Sequence, residues 1–383
     1  MHKKFDRLTI IAHLPHNKVG SEYVSYEPYV REIEVWAKYF DQINIYTNIT
    51  KYEQKWPTKN LPKNCAIKKI HLKSGEGKTN KLIRLVQLPF VCFHIFLILL
   101  KSKNLHLRSP GLTTLVANQI NYLFFNKKII VKWATTFEKL PIKMRLLEWE
   151  RQILLKPKSN TKVLIYGKEL NENHISFIPA LMTSNEINRL NENKYENEWG
   201  APFQFIMVGR LYKYKNFDFV FKCLSNFKNK YPLIKWALTV VGDGELLQEL
   251  KQLAESQNIS KNLVFTGALQ YRQTLEMFQY SHIAIMPGKY EGWPKIINEA
   301  WSSGCIPFVI NSGNATYPLN FCTSGGYIFN DNIDSFTDNL HNLLNKPKCE
   351  IKTVINDGYD ANKKMTLEIF DEMLYKVLKE NYD

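Results

Sequence analysis

Met286-Pro-Gly-Lys-Tyr-Glu-Gly-Trp-Pro-Lys-Ile-Ile-Asn-Glu-Ala300 is the stretch on which the reading of this chain turns. The apolar run His282 to Met286 precedes it and reads as a buried parallel strand. Pro287-Gly288 breaks that strand, and Pro294 is expected at the first position of a helix running to Gly304. Glu291 then falls in the strand-to-helix loop, and Glu299, eight residues on, lies more than a turn into the helix. An open α/β sheet binds its ligands at this point, outside the carboxyl end of a strand and at the amino end of a helix. Backbone N–H groups and the helix dipole favour an anion there, and carboxylates beside it suit sugar hydroxyls. The combination fits a phosphorylated sugar.

Outward from this stretch the second half repeats one rhythm. Phe203–Val208 is an apolar run ending in Gly209, followed by a helical pattern over Phe217–Phe227. Trp236–Val241 ends in Gly242-Asp-Gly244 and leads to a helix through Glu255; Leu263–Thr266 ends in Gly267 and leads to helical Leu275–Tyr280. Ile306–Ile310 follows as a strand and Tyr327–Phe329 as a last one. Strand, glycine, helix, repeated, predicts a parallel doubly wound domain. The first half alternates in the same way: Leu8–Ala12, Ile43–Tyr46, Ile129–Trp133, Lys162–Tyr166 and His174–Ile178 read as strands, and Pro28–Phe40 as a helix. The polar, Asn/Glu-rich segment 184–200 reads as a connection between domains 1–183 and 201–355. The tail, 356–383, has the helical period and is expected to pack back toward the first domain.

A chain of 383 residues with 45% hydrophobic content suffices for two cored domains and excludes wholesale disorder. Six scattered cysteines, without a CxxC pair, fit reduced thiols in the cytoplasm. The first apolar run, Leu8–Ala12, is too short for a signal-peptide core. The net charge of +15 divides into +17 over residues 1–183 and −2 over 184–383. That asymmetry calls for an anionic partner of the first half. Nucleic acid is not expected, since no recognition-helix, zinc-finger or RNP-like pattern is present. An anionic membrane surface is the alternative. The apolar run Leu85–Leu100, flanked by Lys81, Arg84, Lys101 and Lys103, is too short to span a bilayer. A buried core helix is its expected identity, with an interfacial helix as the second reading.

After strand Phe203–Val208 comes Gly209-Arg210-Leu-Tyr-Lys-Tyr-Lys215. A glycine lets backbone turn beside a ligand, Arg210 offers a planar fork for phosphate oxygens, and Lys215 adds a point charge. The bland alternative is a basic surface loop.

Six motifs in one order cover residues 203–330: Val208-Gly-Arg-Leu with Lys215; Val241-Gly-Asp-Gly; Val264-Phe-Thr-Gly; Met286-Pro-Gly-Lys-Tyr-Glu-Gly; Asn298-Glu-Ala; and Ser303-Gly-Cys-Ile-Pro307. This half resembles the retaining glycosyltransferases of family 4, bacterial surface-glycan type. The resemblance implies a GT-B fold: two Rossmann-like α/β domains, each on a parallel doubly wound sheet, with a cleft between them. It implies that Arg210 and Lys215 bind the diphosphate of a nucleotide-sugar donor, that Glu291 contacts the donor sugar and that Glu299 bonds the ribose hydroxyls. Gly209 and Gly242 would line the donor site, and Gly292 and Trp293 would present backbone N–H groups to sugar and phosphate. Lys295, in a Trp-Pro-Lys variant of the usual Phe-Gly-Leu, would see phosphate or act as a solvated helix-start lysine.

The first half departs from the family pattern. His13-Leu-Pro-His16-Asn-Lys-Val-Gly20-Ser-Glu-Tyr23 stands where a Gly-rich loop is usual, leaving Gly20 to approach donor or acceptor. In Leu105-His106-Leu-Arg108-Ser-Pro110, Arg108 stands where relatives carry a second histidine; it is expected to clamp sugar or acceptor phosphate, and His106 to be core. Tyr29 is expected in ordinary packing. The implied reaction is transfer from a nucleotide diphosphate sugar to a hydroxyl of a glycan or lipid-linked oligosaccharide acceptor, in capsule or lipopolysaccharide-type synthesis. It would run at the inner membrane face, without metal and without a cofactor beyond the donor. Rival readings are a GT-B isomerase or phosphorylase, and a non-catalytic membrane-associated protein that binds nucleotide sugars.

Overall fold

The computed structural model describes residues 4–14, 16–20, 22–47, 49–50, 58–72, 78–139, 144–179, 181–192, 199–289 and 291–382. The side chains of Lys81 and Arg84, and residues 193–198 of the polar segment, lie outside that description. The chain divides into two compact units: Met1–Gln54, Thr58–Ala180 and Phe370–Asp383 in one, Leu181–Ile369 in the other. The start of the segment read as a connection is folded, as a helix over Ser184–Glu192.

The first unit carries strands β1 (Phe5–Ala12), β2 (His16–Val19), β3 (Glu22–Tyr26), β4 (Phe40–Thr47), β5 (Ile49–Thr50), β6 (Thr58–Asn60), β7 (Cys65–Lys69), β8 (Asn104–Ser109), β9 (Ile129–Trp133), β10 (Thr161–Ile165) and β11 (His174–Ser176). Its helices are α1 (Glu27–Ala37), α2 (Lys78–Lys101), α3 (Leu112–Ile120) and α4 (Arg145–Leu154). Seven strands form a parallel sheet in the order β11-β10-β9-β8-β1-β4-β7, so the direction of winding reverses between β1 and β8. Parallel strands covered on both faces read as continuous apolar runs, and Leu8, Ile10, Ile11, Leu105 and Leu107 are all buried. A second, four-stranded sheet, β5-β2-β3-β6, was not expected from the sequence. The tail is two helices rather than one. α11 below ends at Asn362, and the final helix, Leu367–Tyr382, contributes its residues from Phe370 on to this unit. Phe370 meets Phe177 edge-on at 5.0 Å, and the Tyr382 hydroxyl donates to the Leu105 carbonyl at 2.8 Å.

The second unit begins with α5, the helix at Ser184–Glu192, and carries β12 (Phe203–Val208), β13 (Trp236–Val241), β14 (Leu263–Gly267), β15 (Ile283–Met286), β16 (Ile306–Ile310) and β17 (Tyr327–Phe329). The helices between and after them are α6 (Phe217–Lys230), α7 (Leu247–Ser256), α8 (Tyr271–Gln279), α9 (Lys295–Ser302), α10 (Ile333–Leu344) and α11 (Lys348–Asn362); the tail helix Leu367–Tyr382 is α12. The sheet is parallel, in the order β14-β13-β12-β15-β16-β17. Its switch point lies between β12 and β15, where helices leave to opposite faces and the strand ends open a crevice. α6 buries Phe217, Val220, Phe221, Leu224 and Phe227, the 3.6-residue stripe that seats it on the sheet.

Candidate functional site

The loops after β12 and β15 flank the switch point of the second unit, and both are shaped by glycine. Gly242, after β13, has φ +144, and a Cβ there would stand 1.9 Å from the Gly209 carbonyl oxygen. The Gly209 amide donates to Val241 O at 3.0 Å and the Leu211 amide to Asp243 O at 3.0 Å. The post-β12 and post-β13 turns are therefore interlocked backbone against backbone. In the post-β15 loop the Lys289 amide donates to Tyr214 O at 3.3 Å, and a Cβ on Gly288 would stand 2.7 Å from Glu291 Oε1.

The charged groups meet across the switch point. Lys215 Nζ lies 2.5 Å from Glu291 Oε1, a half-buried ion pair joining the β12 loop to the β15 loop. Arg210 is exposed at the mouth, where its guanidinium donates to the Tyr214 hydroxyl at 2.9 Å and lies 5.5 Å from the Tyr212 ring. Lys289, which the sequence reading passed over, adds a cation on the β15 loop and pairs with Asp331 at 2.5 Å. Pro294 occupies the N-cap position, one residue before its expected place, and Lys295 is the first residue of α9. Glu299 lies on the second turn of α9 and is buried, as is Gly292 in the loop before it.

Trp293 anchors this loop by its side chain. Its ring is buried against Tyr317 and Phe321, each with centroids 5.7 Å away, and its Nε1 donates to Asn298 Oδ1 at 2.8 Å. Asn298 in turn donates from Nδ2 to Asn362 Oδ1 at 2.7 Å, and Asn362 Nδ2 donates to Ser302 Oγ at 2.6 Å and to Asn298 O at 3.0 Å. All four residues are buried, so this is a closed polar network that ties loop, α9 and α11 together. The sequence reading quotes Asn298 only as part of the Asn-Glu-Ala motif and gives it no role; its signal is a pair of polar residues, Asn298 and Ser302, one turn apart on the buried side of α9.

In the first unit, the residues singled out from sequence lie at the β2–β3 turn, on β8 and on α1. Gly20 is the left-handed turn residue (φ +59) of the β2–β3 hairpin, in which Val19 pairs with Glu22, and nothing lies within 4 Å of where its Cβ would be. Arg108 is the penultimate residue of β8, beside that sheet's switch point. It pairs with Glu32 of α1 at 2.7 Å, and its guanidinium lies 4.8 Å from the Tyr29 ring centroid. Buried Lys132 shares the same Glu32 oxygen at 3.0 Å. Arg108 is thus held by an internal carboxylate. His106 is core, as expected: it stacks on Trp36 at 4.3 Å, and burial lowers its pKa to about 4. Tyr29 is buried as well. Among the described residues no group of three or more His, Cys, Asp or Glu is arranged to hold a metal ion.

The family model described as glycosyl transferases group 1 matches residues 188–356. The second unit is a glycosyl transferases group 1 domain. A galactosyltransferase of Escherichia coli, named UDP-Gal:alpha-D-GlcNAc-diphosphoundecaprenol alpha-1,3-galactosyltransferase, is 30% identical over 175 residues, 43% of this chain and 43% of that protein. An uncharacterised glycosyltransferase of Haemophilus influenzae is 28% identical over 148 residues, 38% of this chain and 41% of that one. The matched regions thus span less than half the length of these relatives. Among solved structures, Anabaena HepE in complex with UDP and glucose aligns with a TM-score of 0.66 at 12% identity, covering 99% of this chain and 100% of that one. That likeness concerns the fold, which is GT-B, with two Rossmann-like units on parallel sheets.

Proposed function

We propose that the chain is a retaining, metal-independent glycosyltransferase that moves a sugar from a nucleotide diphosphate sugar to a hydroxyl of a lipid-linked glycan. The observation that carries the reading is the Lys215–Glu291 pair across the switch point of a glycosyl transferases group 1 domain, with Arg210 at its mouth and buried Glu299 on α9. In this reading Arg210 and Lys215 take the donor diphosphate, assisted by the N–H groups at the start of α9. Glu291 then holds the donor sugar, and Glu299 the ribose hydroxyls. As the sugar C1–O bond to phosphate breaks, the leaving charge grows beside the two cations. The acceptor oxygen bonds to C1 on the same face, and its proton passes to the departing phosphate oxygen. No protein base is needed for that transfer. Glu291 acts by positioning the sugar.

A donor of the UDP class and an acceptor carried on a lipid diphosphate are inferred from the name of the Escherichia coli relative. A bilayer-borne acceptor puts the reaction at the cytoplasmic face of the membrane, in surface-polysaccharide synthesis. The test is to incubate the protein with UDP-, GDP-, ADP- and dTDP-sugars and a lipid-diphosphate-linked sugar, following nucleotide release and product anomeric configuration by NMR. Acceptor-dependent release of one nucleotide diphosphate with retained configuration is expected. Inverted product, or free epimer or sugar phosphate without transfer, overturns the proposal.

A further inference from the structure

We infer that the first unit docks on an anionic lipid bilayer through the outer face of α2 and the adjoining turn Tyr122–Phe124. α2 is apolar on both sides. One side, with Val91, Ile95, Ile98 and Leu99, is part of the hydrophobic core. The other presents Val86, Phe90, Phe93, Leu97 and Leu100 to solvent at spacings of three and four residues, one stripe down the helix, with Phe90 77% and Phe93 65% exposed. A soluble surface helix carries polar residues on its outer side; an all-apolar helix calls for a second covering.

The stripe continues onto the next element. Phe96 of α2 meets the rings of Phe124 and Phe125 at 5.6 and 5.0 Å, in a π-helical turn that follows α3, and there Leu123 and Phe124 are 67% and 65% exposed beside exposed Tyr122. Lys127 fixes this arrangement by donating to the carbonyls of Leu99 and Ser102, both at 2.6 Å, at the C-terminal end of α2. Together they form an apolar patch of a kind that marks an interaction site.

Charge selects the occupant. Residues 77–137 contain nine Lys and Arg and no Asp or Glu. Lys101, Lys103 and Lys128 are exposed at the end of α2 and after the turn, and Lys158 Nζ lies 4.1 Å from the Tyr122 ring centroid. An apolar stripe edged with lysines, one of which, Lys103, has the exposed Asp6 carboxylate 3.9 Å away, matches an interface of acyl chains below anionic headgroups. A second copy of the chain would bring the same cations face to face. The core contacts of α2 hold it along the surface, and no helix among the described residues is long and apolar enough to cross a membrane. The helix therefore lies in the plane of the bilayer.

Vesicle flotation of the full chain tests this without donor or acceptor, so its outcome is separate from that of the transfer reaction. Vesicles of phosphatidylcholine with about 40% phosphatidylglycerol, whose negative surface attracts Lys and Arg, are expected to carry the protein at low salt, and pure phosphatidylcholine vesicles to carry much less. Phe90→Ser with Phe93→Ser is expected to cut partitioning about tenfold, and Lys101→Glu with Lys128→Glu to cut it on anionic vesicles alone. A Tm within about 2 °C of wild type certifies the fold of each variant. Equal partitioning of wild type and both folded variants overturns the proposal. So does a concentration-dependent dimer, seen by analytical ultracentrifugation, that the Phe90/Phe93 variant abolishes; that result assigns the face to a second copy.

Discussion

Asn298→Ala is predicted to damage the donor site without touching a residue assigned to the donor. The Asn298 side chain is almost fully buried and links Trp293 Nε1 at 2.8 Å to Asn362 Oδ1 at 2.7 Å. Its removal strands a buried donor and a buried acceptor, each costing about 1–3 kcal/mol. Together these should cost the second unit about 2–6 kcal/mol, lowering its Tm by about 4–24 °C at roughly 2–4 °C per kcal/mol. A local effect accompanies the global one. Trp293 is held by that bond and by Tyr317 and Phe321, and it sets the loop between Glu291 and α9. Measured well below the new Tm, the variant should bind nucleotide sugar about tenfold more weakly, with a smaller change in turnover. Calorimetric unfolding and donor titration read the two effects separately. A Tm within 2 °C of wild type, or lost stability with unchanged donor affinity at low temperature, refutes the idea that the network positions the loop.

Arg210→Ala and Glu291→Ala should each depress sugar transfer by about 10²–10³-fold with unfolding temperatures near wild type, because both side chains are at least partly exposed; wild-type turnover removes them from the site. Gly242→Ala should abolish soluble folded protein or donor binding, since a Cβ 1.9 Å from the Gly209 carbonyl at φ +144 has no place to go; a variant of normal Tm and affinity contradicts the interlock. Burial lowers the pKa of His16 and of His106 to about 4 from 6.5, so between those values the unfolded chain binds protons that the folded one refuses. Their stabilising effect is present above pH 6.5 and lost as pH falls toward 4, about 3 kcal/mol each. Thermal melts from pH 7.5 to 4.5 should therefore fall more steeply for wild type than for His106→Phe, and parallel curves refute the assignment. EDTA should leave transfer intact, and loss of activity restored by Mg²⁺ or Mn²⁺ would speak for a metal.

The second unit was readable because its strands are apolar runs, those of β12, β13 and β14 each closed by a glycine, and β12 through β15 fall where those runs lie. Short-range signals sufficed there, down to the loop that holds Glu291. The first unit resisted where pairing is non-local. The hairpin β2–β3 is a polar mixture, His16-Asn-Lys-Val followed by Glu22-Tyr-Val-Ser-Tyr, and its sheet is completed by Thr58–Asn60 from far along the chain. Arg108 was singled out from a local motif, whereas Glu32, the carboxylate it pairs with, lies 76 residues upstream. The role of Asn298, quoted only as part of a motif, was hidden for the same reason, its partner Asn362 being 64 residues away. The apolar run Leu85–Leu100 was read as core against interface, whereas the helix is core on one side and uncovered on the other. A hydrophobicity pattern without a polar side does not say which face is inward.

The interlocked turns after β12 and β13 bear on how this domain can be re-engineered. With the Gly242 Cα packed against the Gly209 carbonyl, and Leu211 and Asp243 joined through their backbones, the two turns form one rigid piece carrying Arg210. Grafting either loop alone from another transferase, as one would do to exchange the donor, breaks a fit in which neither side has a side chain to yield. The transplantable module is the pair of loops together. Libraries that randomise residues 209–211 and 242–244 jointly should retain folded clones at a higher rate than libraries confined to one of them.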